Sequence, residues 1–354
     1  MNHRKHQHAQ HGFSLIEIMI ALIIGFILTG GAIQIFISSK ATYKLESALT
    51  RLQETGRYIV DTVAKEVRMA GYTGCSSRGN ISVNVIANSP PPLTIGDSNS
   101  ILGYNGGAGW TPAIPANLLL AMNNVTPGTD VINVQRADEC GAAIVGNWDV
   151  TNANVQVAFP NSCGFVQNMP VIVSNCTNAD VFQIVNAPTV NGNKQTLTHS
   201  NAGNTGNFLS KNYGPDSQIS KPRSNIFFIA PGSSGEPALY LASWNPTDGN
   251  AALTAADFTV LELADGAEDM QIQYGEDTGG GNEYADTYVD ADAVVDWTKV
   301  RSVRVNFLLR SADRVTDQPR SITFMGNAVN AGAGADRRLR MVFTSTITIR
   351  NRLQ

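Results

Sequence analysis

One carboxylate, Glu17, stands inside an otherwise apolar stretch that runs from Phe13 to Ile37. An acid deep in a bilayer costs on the order of 2.5–3.5 kcal/mol, and less near the end of a span, so a partner charge is favoured. Phe13 lies four residues earlier, on the same face of a helix. A cut after Gly12 would turn the Phe13 nitrogen into a free amine, and a +1 amine attracts a carboxylate strongly where water is scarce. The spacing allows that pair to form within one chain or between neighbouring chains. Its chemistry is charge neutralisation rather than bond making.

The other reactive residues point away from catalysis. Four of the five histidines, His3, His6, His8 and His11, precede Gly12 and would leave with it. His199 stands alone in an Asn/Thr-rich stretch and reads as a solvated side chain rather than a base. No P-loop or dinucleotide fingerprint is present, since Gly279-Gly280-Gly281 is followed by neither a helix nor a lysine. No enzyme, cofactor or bound metal is therefore expected. Glu276, Asp277, Glu283, Asp286, Asp290 and Asp292 offer clustered oxygens, but EF-hand spacing is absent and the glycines favour a solvated acidic hairpin over a calcium site.

The four cysteines, Cys75, Cys140, Cys163 and Cys176, include no C-x-x-C pair, which weakens zinc and thioredoxin-like readings. An even number beyond the apolar run fits two disulfides in an oxidising compartment. Closeness in sequence favours Cys163–Cys176, leaving Cys75–Cys140 to tie the end of the N-terminal helix to a strand.

These residues need positioning elements. Residues 1–12 are polar and basic. Phe13 to Ile37 reaches about 37 Å as a helix, enough to span a hydrocarbon core of roughly 30 Å. A cleaved secretory signal ending near Gly30-Gly31-Ala32 is the rival. It leaves Glu17 unexplained, and the helical pattern continues beyond residue 32. Leu45, Leu49, Leu52, Gly56, Ile59, Val63, Val67 and Ala70 form an amphipathic stripe of period 3.6, with Glu66 among the charged residues of the remaining surface. The proline-free run from Phe13 to about Met69 would be roughly 85 Å long. Ala70-Gly71-Tyr72 and Gly74 supply the stop.

Gly12-Phe13-Ser14-Leu15-Ile16-Glu17 before an apolar run resembles the prepilin processing motif of type IV pilins and type II secretion pseudopilins. Glu54-Thr55-Gly56-Arg57-Tyr58, Arg68 to Cys75, Asp269 to Gly275 and the Arg337 to Arg352 stretch resemble the PilW family of minor pilins. The resemblance implies a type IV pilin-like α+β fold: a leader at 1–12, a transmembrane and assembly half-helix at 13–37, an amphipathic half at 38–70 and a periplasmic β-rich domain at 71–354. It implies cleavage at Gly12–Phe13 by a prepilin peptidase, methylation of the Phe13 amine, and Glu17 as counter-ion to a neighbour's N-terminus. The implied role is priming of pilus assembly and a place near the tip, in processes such as twitching motility and adhesion. The implied partners are other minor and major pilins, the inner-membrane assembly platform and, before assembly, membrane lipid. The implied location is the inner membrane, single-pass, and then the pilus. A helix-kinking proline found in many major pilins is missing; Gly30-Gly31 and Gln34 occupy that region. A type II secretion pseudopilin shares the same N-terminal logic. A membrane-anchored periplasmic binding protein is the rival from another class.

Beyond Cys75 the pattern turns to alternation. Val303, Val305, Phe307 and Leu309 fall on one face of a strand, with Arg304, Asn306 and Arg310 on the other. Met341, Phe343, Ile347 and Ile349 alternate with Thr344, Thr346 and Thr348. Shorter strands are expected at 131–134, 171–173, 181–185, 226–229, 239–241 and 270–273, as an antiparallel sheet or two packed on the helix stripe. Residues 80–129 and 186–224, rich in Asn, Gly, Ser and Pro, read as loop insertions. A formal net charge of −4 disfavours a general nucleic-acid surface. Arg337, Arg338, Arg340, Arg350 and Arg352 cluster as a candidate basic patch, but the favoured reading is arginines alternating on the wet face of a strand.

Overall fold

The computed structural model describes residues 13–74, 81–88, 100–244, 254–280 and 282–352. One helix, α1 (Leu15–Arg68), runs unbroken for 54 residues, about 81 Å at 1.5 Å per residue. Ser14 caps it, its hydroxyl accepting from the Glu17 amide at 3.3 Å. At the other end the Met69 amide donates to Glu66 and Val67 carbonyls. Gly71 then takes φ +75, a left-handed conformation that glycine adopts at little cost, and its amide donates to the Gln135 carbonyl.

The chain continues through β1 (Ser82–Val85), β2 (Ile101–Gly106), β3 (Trp110–Thr111), the short α2 (Ala116–Leu119), β4 (Val131–Gly146), β5 (Asn154–Ala158), β6 (Pro170–Ser174) and β7 (Asn178–Gln183). Then come β8 (Thr189–Asn191), β9 (Lys194–Thr198), β10 (Gln218–Pro231), β11 (Pro237–Trp244), β12 (Phe258–Asp265) and β13 (Ala267–Glu276). The last are β14 (Thr287–Val289), β15 (Val300–Arg314), β16 (Ile322–Phe324), β17 (Asn327–Val329) and β18 (Arg338–Thr348). A 12-stranded sheet has the path β1-β7-β6-β10-β4-β5-β9-β8, with β11 and β12 added beside β10, and β2 and β3 beside β4. A four-stranded sheet has the order β14-β13-β15-β18. Pairing is antiparallel except between β1 and β7. The result is an α+β fold in which the expected strands fall inside real ones. At the margins, β7 stops at Gln183 and β18 stops before Ile349.

The main core lies where α1 meets both sheets. Leu52, Ile59, Val63 and Val67 pack with Ile132, Phe227, Met270, Phe307, Leu309 and Ile347. Complete burial of a side chain of this size stabilises by about 1.5–3 kcal/mol. The stripe is covered only from Leu52 onward; Leu45 is half-buried and Leu49 exposed. Below that point the helix leaves the domain.

Several expectations need correction. Residues 80–129 and 186–224 are not plain loops. They supply β1, β2, β3, α2, the β8–β9 hairpin and the first part of β10. Ladder pairing and a few buried residues, such as Ile101, Tyr104 and Leu197, suffice for strands whose composition is otherwise that of turns. Asn306 is buried rather than wet, accepting from Thr344 Oγ1 at 2.9 Å. The disulfide that forms is Cys140–Cys163, not Cys163–Cys176 with Cys75–Cys140. The β4–β5 hairpin is the reason. Ile144 opposes Val157, and that register returns the chain so that Ser162 and Cys163 reach the Cys140 carbonyl. Cys176 is also disulfide-bonded, and Cys75 lies outside the described residues. Non-reducing peptide mapping is expected to give a Cys140–Cys163 peptide, and a Cys163–Cys176 peptide would overturn this pairing. Cys140→Ser with Cys163→Ser should cost about 2–4 kcal/mol of stability.

His199 is the other reversal. It is fully buried against Phe182, with ring centroids 5.0 Å apart, and neither ring nitrogen has a hydrogen-bond partner among the described residues. Burial pushes its pKa down to about 4. The unfolded chain, titrating near 6.5, therefore binds a proton first. The stability from a neutral His199 is complete above pH 6.5 and is lost as pH falls toward 4, on the order of 3 kcal/mol in all. Asp130 works in the opposite direction, because burial raises its pKa to about 7. The bulk pH profile therefore mixes the two. The clean measurement is a His199→Leu variant, expected to lose less stability than the parent between pH 7 and pH 4.5. Identical losses would refute the assignment.

Candidate functional site

The two halves of α1 have opposite surroundings. Every large apolar side chain from Phe13 to Ile37 is exposed, Phe13 by 81%. A contiguous apolar surface of this extent must be covered by lipid or by other helices. Among the described residues, α1 is the helix long and apolar enough to cross a membrane. Glu17 lies in its first turn, where a negative charge is favoured by the helix dipole. Phe13 lies just before that turn, and Gly12 lies outside the described residues. Gly25, Gly30 and Gly31 have open space around them.

The upper half is fixed to the head by apolar packing and polar links. Glu66 is drawn inward rather than left on the polar face. It accepts from Arg136 at 3.0 Å and from Asn225 at 2.8 Å. Arg136 also meets Asp138 at 3.1 Å. Burial works against the guanidinium charge, but the Glu66 and Asp138 partners outweigh it and raise the Arg136 pKa. Asn351 donates to the Ala70 carbonyl at 3.1 Å. The helix end is thus held by β4, β10 and the C-terminal turn together.

The C-terminal arginines are structural rather than a basic patch. Glu236 binds Arg338 at 2.6 Å and Arg310 at 2.8 Å. Glu268 binds Arg340 at 2.7 Å and Arg310 at 3.2 Å, and Asp336 binds Arg340 at 2.7 Å. Arg338 holds the Glu236 carboxyl below its usual range, and Arg340 does the same for Asp336. This network joins the β10–β11 turn to the four-stranded sheet. Arg352 is buried, donating to the Trp297 and Val300 carbonyls and to Ser100 Oγ. Arg337 and Arg350 stay exposed.

The acidic stretch is likewise engaged. Glu276 and Asp277 are buried. Glu276 accepts from the Val295 and Asp296 amides, Asp277 faces Arg301 at 3.7 Å, and Asp286 accepts from the Thr278 and Gly279 amides. Glu276 and Asp277 thus fasten a loop from within, whereas Asp286, Asp290 and Asp292 are exposed, as a solvated acidic hairpin predicts. Among the described residues, no three His, Cys, Asp or Glu side chains are grouped to hold a metal.

The sequence did not reveal the inward turn of Glu66 or the buried Arg352. Nothing in a single chain separates a charged residue on a helix flank from one aimed at a cation on another element.

Comparison with known proteins bears on this arrangement. Residues 7–33 match the family described as the prokaryotic N-terminal methylation motif, and residues 226–351 match the family Type IV Pilus-assembly protein W. These matches support a PilW-like type IV minor pilin. The PilW-matched region holds β11 to β18, among them β15 and β18, which pack on α1, together with the arginine network. A solved type IV-like pilin from Thermus thermophilus aligns at 15% identity and a TM-score of 0.23, over 54% of this chain and 89% of that one. No curated protein matches the chain. Pilins of the matched family are structural subunits, and the apolar half-helix with its methylation motif fits an inner-membrane anchor on a pilus-associated protein.

Proposed function

We propose that this PilW-like chain is a minor pilin that helps prime type IV pilus assembly and is incorporated near the pilus tip. A fully exposed apolar half-helix, continuous in one unbroken helix with a half fixed to the head, carries this reading. Such an element can exchange lipid for neighbouring pilin helices without unfolding. The size of the head supports a terminal position. Among the described residues, three further apolar clusters lie beyond the core that meets α1, so the head extends well past the face that packs on the helix.

In this reading the head is periplasmic, in keeping with the disulfides. A prepilin peptidase cuts between Gly12 and Phe13, the Phe13 amine is methylated, and Glu17 neutralises that amine in a neighbour. The partners are other minor and major pilins and the inner-membrane assembly platform. Glu17→Ala is therefore expected to leave membrane insertion intact, since the span only becomes more apolar. It should sharply reduce recovery of partner pilins with the chain, and piliation with it. Normal co-purification and normal piliation would refute the charge pair.

A further inference from the structure

The 12-stranded sheet ends at β12, which pairs with β11 and with no other strand. Among the described residues, nothing hydrogen-bonds to its outer edge. Val260 opposes Ala242 and Leu261 opposes Leu241, so the two side chains stand on opposite faces of the strand. Both are exposed, Val260 by 44% and Leu261 by 51%. Folded proteins normally blunt such an edge with a charge, a proline or a very short strand. Phe258 to Leu261 carries none of these. Glu262, the nearest charge in the strand, is turned back to the β10–β11 turn. It accepts there from the Ser233 amide at 2.8 Å and from Tyr240 Oη at 3.1 Å.

Other strands at the margins of the sheets are protected. β3, β8 and β14 have three residues or fewer, and β1 has four. β18 opens with Arg338 and Arg340 and turns Thr344, Thr346 and Thr348 to solvent. Position says what can reach β12. Leu239 and Leu241, on the same face as Leu261, pack with the core that holds Leu52, Ile59 and Val63 of α1. Asp265, at the end of β12, lines the same recess as Tyr43 and Lys44, where α1 leaves the head. The edge is therefore continuous with one side of α1. The apolar half of that helix is exposed throughout, so a neighbouring helix covering this side brings its own head alongside β12.

We infer that the outer edge of β12 accepts an extended strand from the head of a neighbouring pilin, continuing the large sheet across the subunit boundary. The backbone amides and carbonyls of β12 supply the hydrogen bonds, which give affinity, while the side chains give specificity. Val260 and Leu261 select the register. A strand laid against them needs apolar side chains at two consecutive positions, one on each face. A helix cannot take its place, because its amides and carbonyls are already paired within the helix. The inference rests on the minor-pilin reading. It names the surface by which the head, rather than the membrane half, recognises its neighbour.

The experiment places the photo-reactive residue p-benzoylphenylalanine at position 260 or at position 261 of the full chain in piliated cells, and sequences the captured peptides. The expected targets are consecutive residues of one extended segment, in the head of another subunit that itself carries a prepilin motif. Val260→Lys with Leu261→Lys should lower recovery of that subunit about tenfold, since charges replace two apolar cross-strand contacts. Head stability, read as a denaturant midpoint, should be unchanged, because both side chains are exposed. The cross-links are read on an edge without the lysines, so they decide the matter where the lysine pair perturbs the head. Targets in lipid, in an apolar half-helix or in another copy of this chain would overturn the proposal. So would no capture at either position, or undiminished recovery with the lysine pair in a head of unchanged stability. Pilins recovered with the chain but not captured at positions 260 and 261 refute the edge alone. A parent chain that recovers no pilin refutes the minor-pilin reading with it.

Discussion

In a Gly12→Val variant, the chain is expected to stay full length in the membrane, with no mature form starting at Phe13. Glycine before the scissile bond presents no side chain to a protease pocket, whereas valine adds a β-branched group that both occupies space and stiffens the backbone. Insertion should be unaffected, because Phe13 to Ile37 is unchanged. The loss should extend beyond processing. With residues 1–12 retained, the Phe13 nitrogen is an uncharged amide and gives Glu17 no counter-ion. Gly12→Val should therefore abolish incorporation into pili at least as fully as Glu17→Ala, and combining the two should add nothing, as for residues acting in one interaction. Intact-mass measurement of membrane fractions decides the matter. Normal cleavage in the variant would overturn the processing site, and a native N-terminus at Ile33 would restore the secretory-signal reading.

The parts of this molecule that follow from period and composition were legible in the sequence. The helix and its stop at Met69, the alternating strands β15 and β18, and the apolar run with its lone acid all depend on local pattern. What escaped depends on long-range register. The position of Cys163 is set by how β5 returns along β4, and sequence closeness to Cys176 carries no information about that. His199 looked like a loop residue from its Asn/Thr neighbours, yet it follows β9 directly and is buried with that strand against Phe182. The C-terminal arginines show the same limit. Alternation placed Arg338 and Arg340 on one face of β18, but only the fold brings Glu236 and Glu268 to that face.

The opposed charges of the helix end and the head have a functional consequence. Glu66, Arg136 and Asn225 lock the last turns of α1 to β4 and β10, while the first half of the helix has no contact with the head. Force applied to the apolar half is thus delivered to a well-tied joint. Below Leu52 the stripe is uncovered and the helix runs on free of the head.

The joint itself depends on a single missing side chain. A methyl group added at Gly56 would overlap the ring of Phe343. Phe343 is paired with Phe307 across the β15–β18 ladder and packs against the main core, so a side chain at position 56 must push the ring out of that packing. Gly56→Val is therefore expected to destabilise the head by about 1–3 kcal/mol or more, the range for overpacking a filled interior. This loss outweighs the gain of about 0.5–1 kcal/mol that replacing glycine within a helix would bring elsewhere. Gly31→Ala, placed where nothing approaches within 4 Å, is the control and should leave head stability unchanged. A cycle identifies the cause. Gly56→Ala and Phe343→Leu each destabilise alone, the first by overlap and the second by a void. Together they should recover on the order of 1 kcal/mol relative to their sum, as contacting residues do. Denaturant midpoints of the four proteins give that coupling. Strict additivity would mean that Gly56 is not the point at which the helix sets its distance from the sheet.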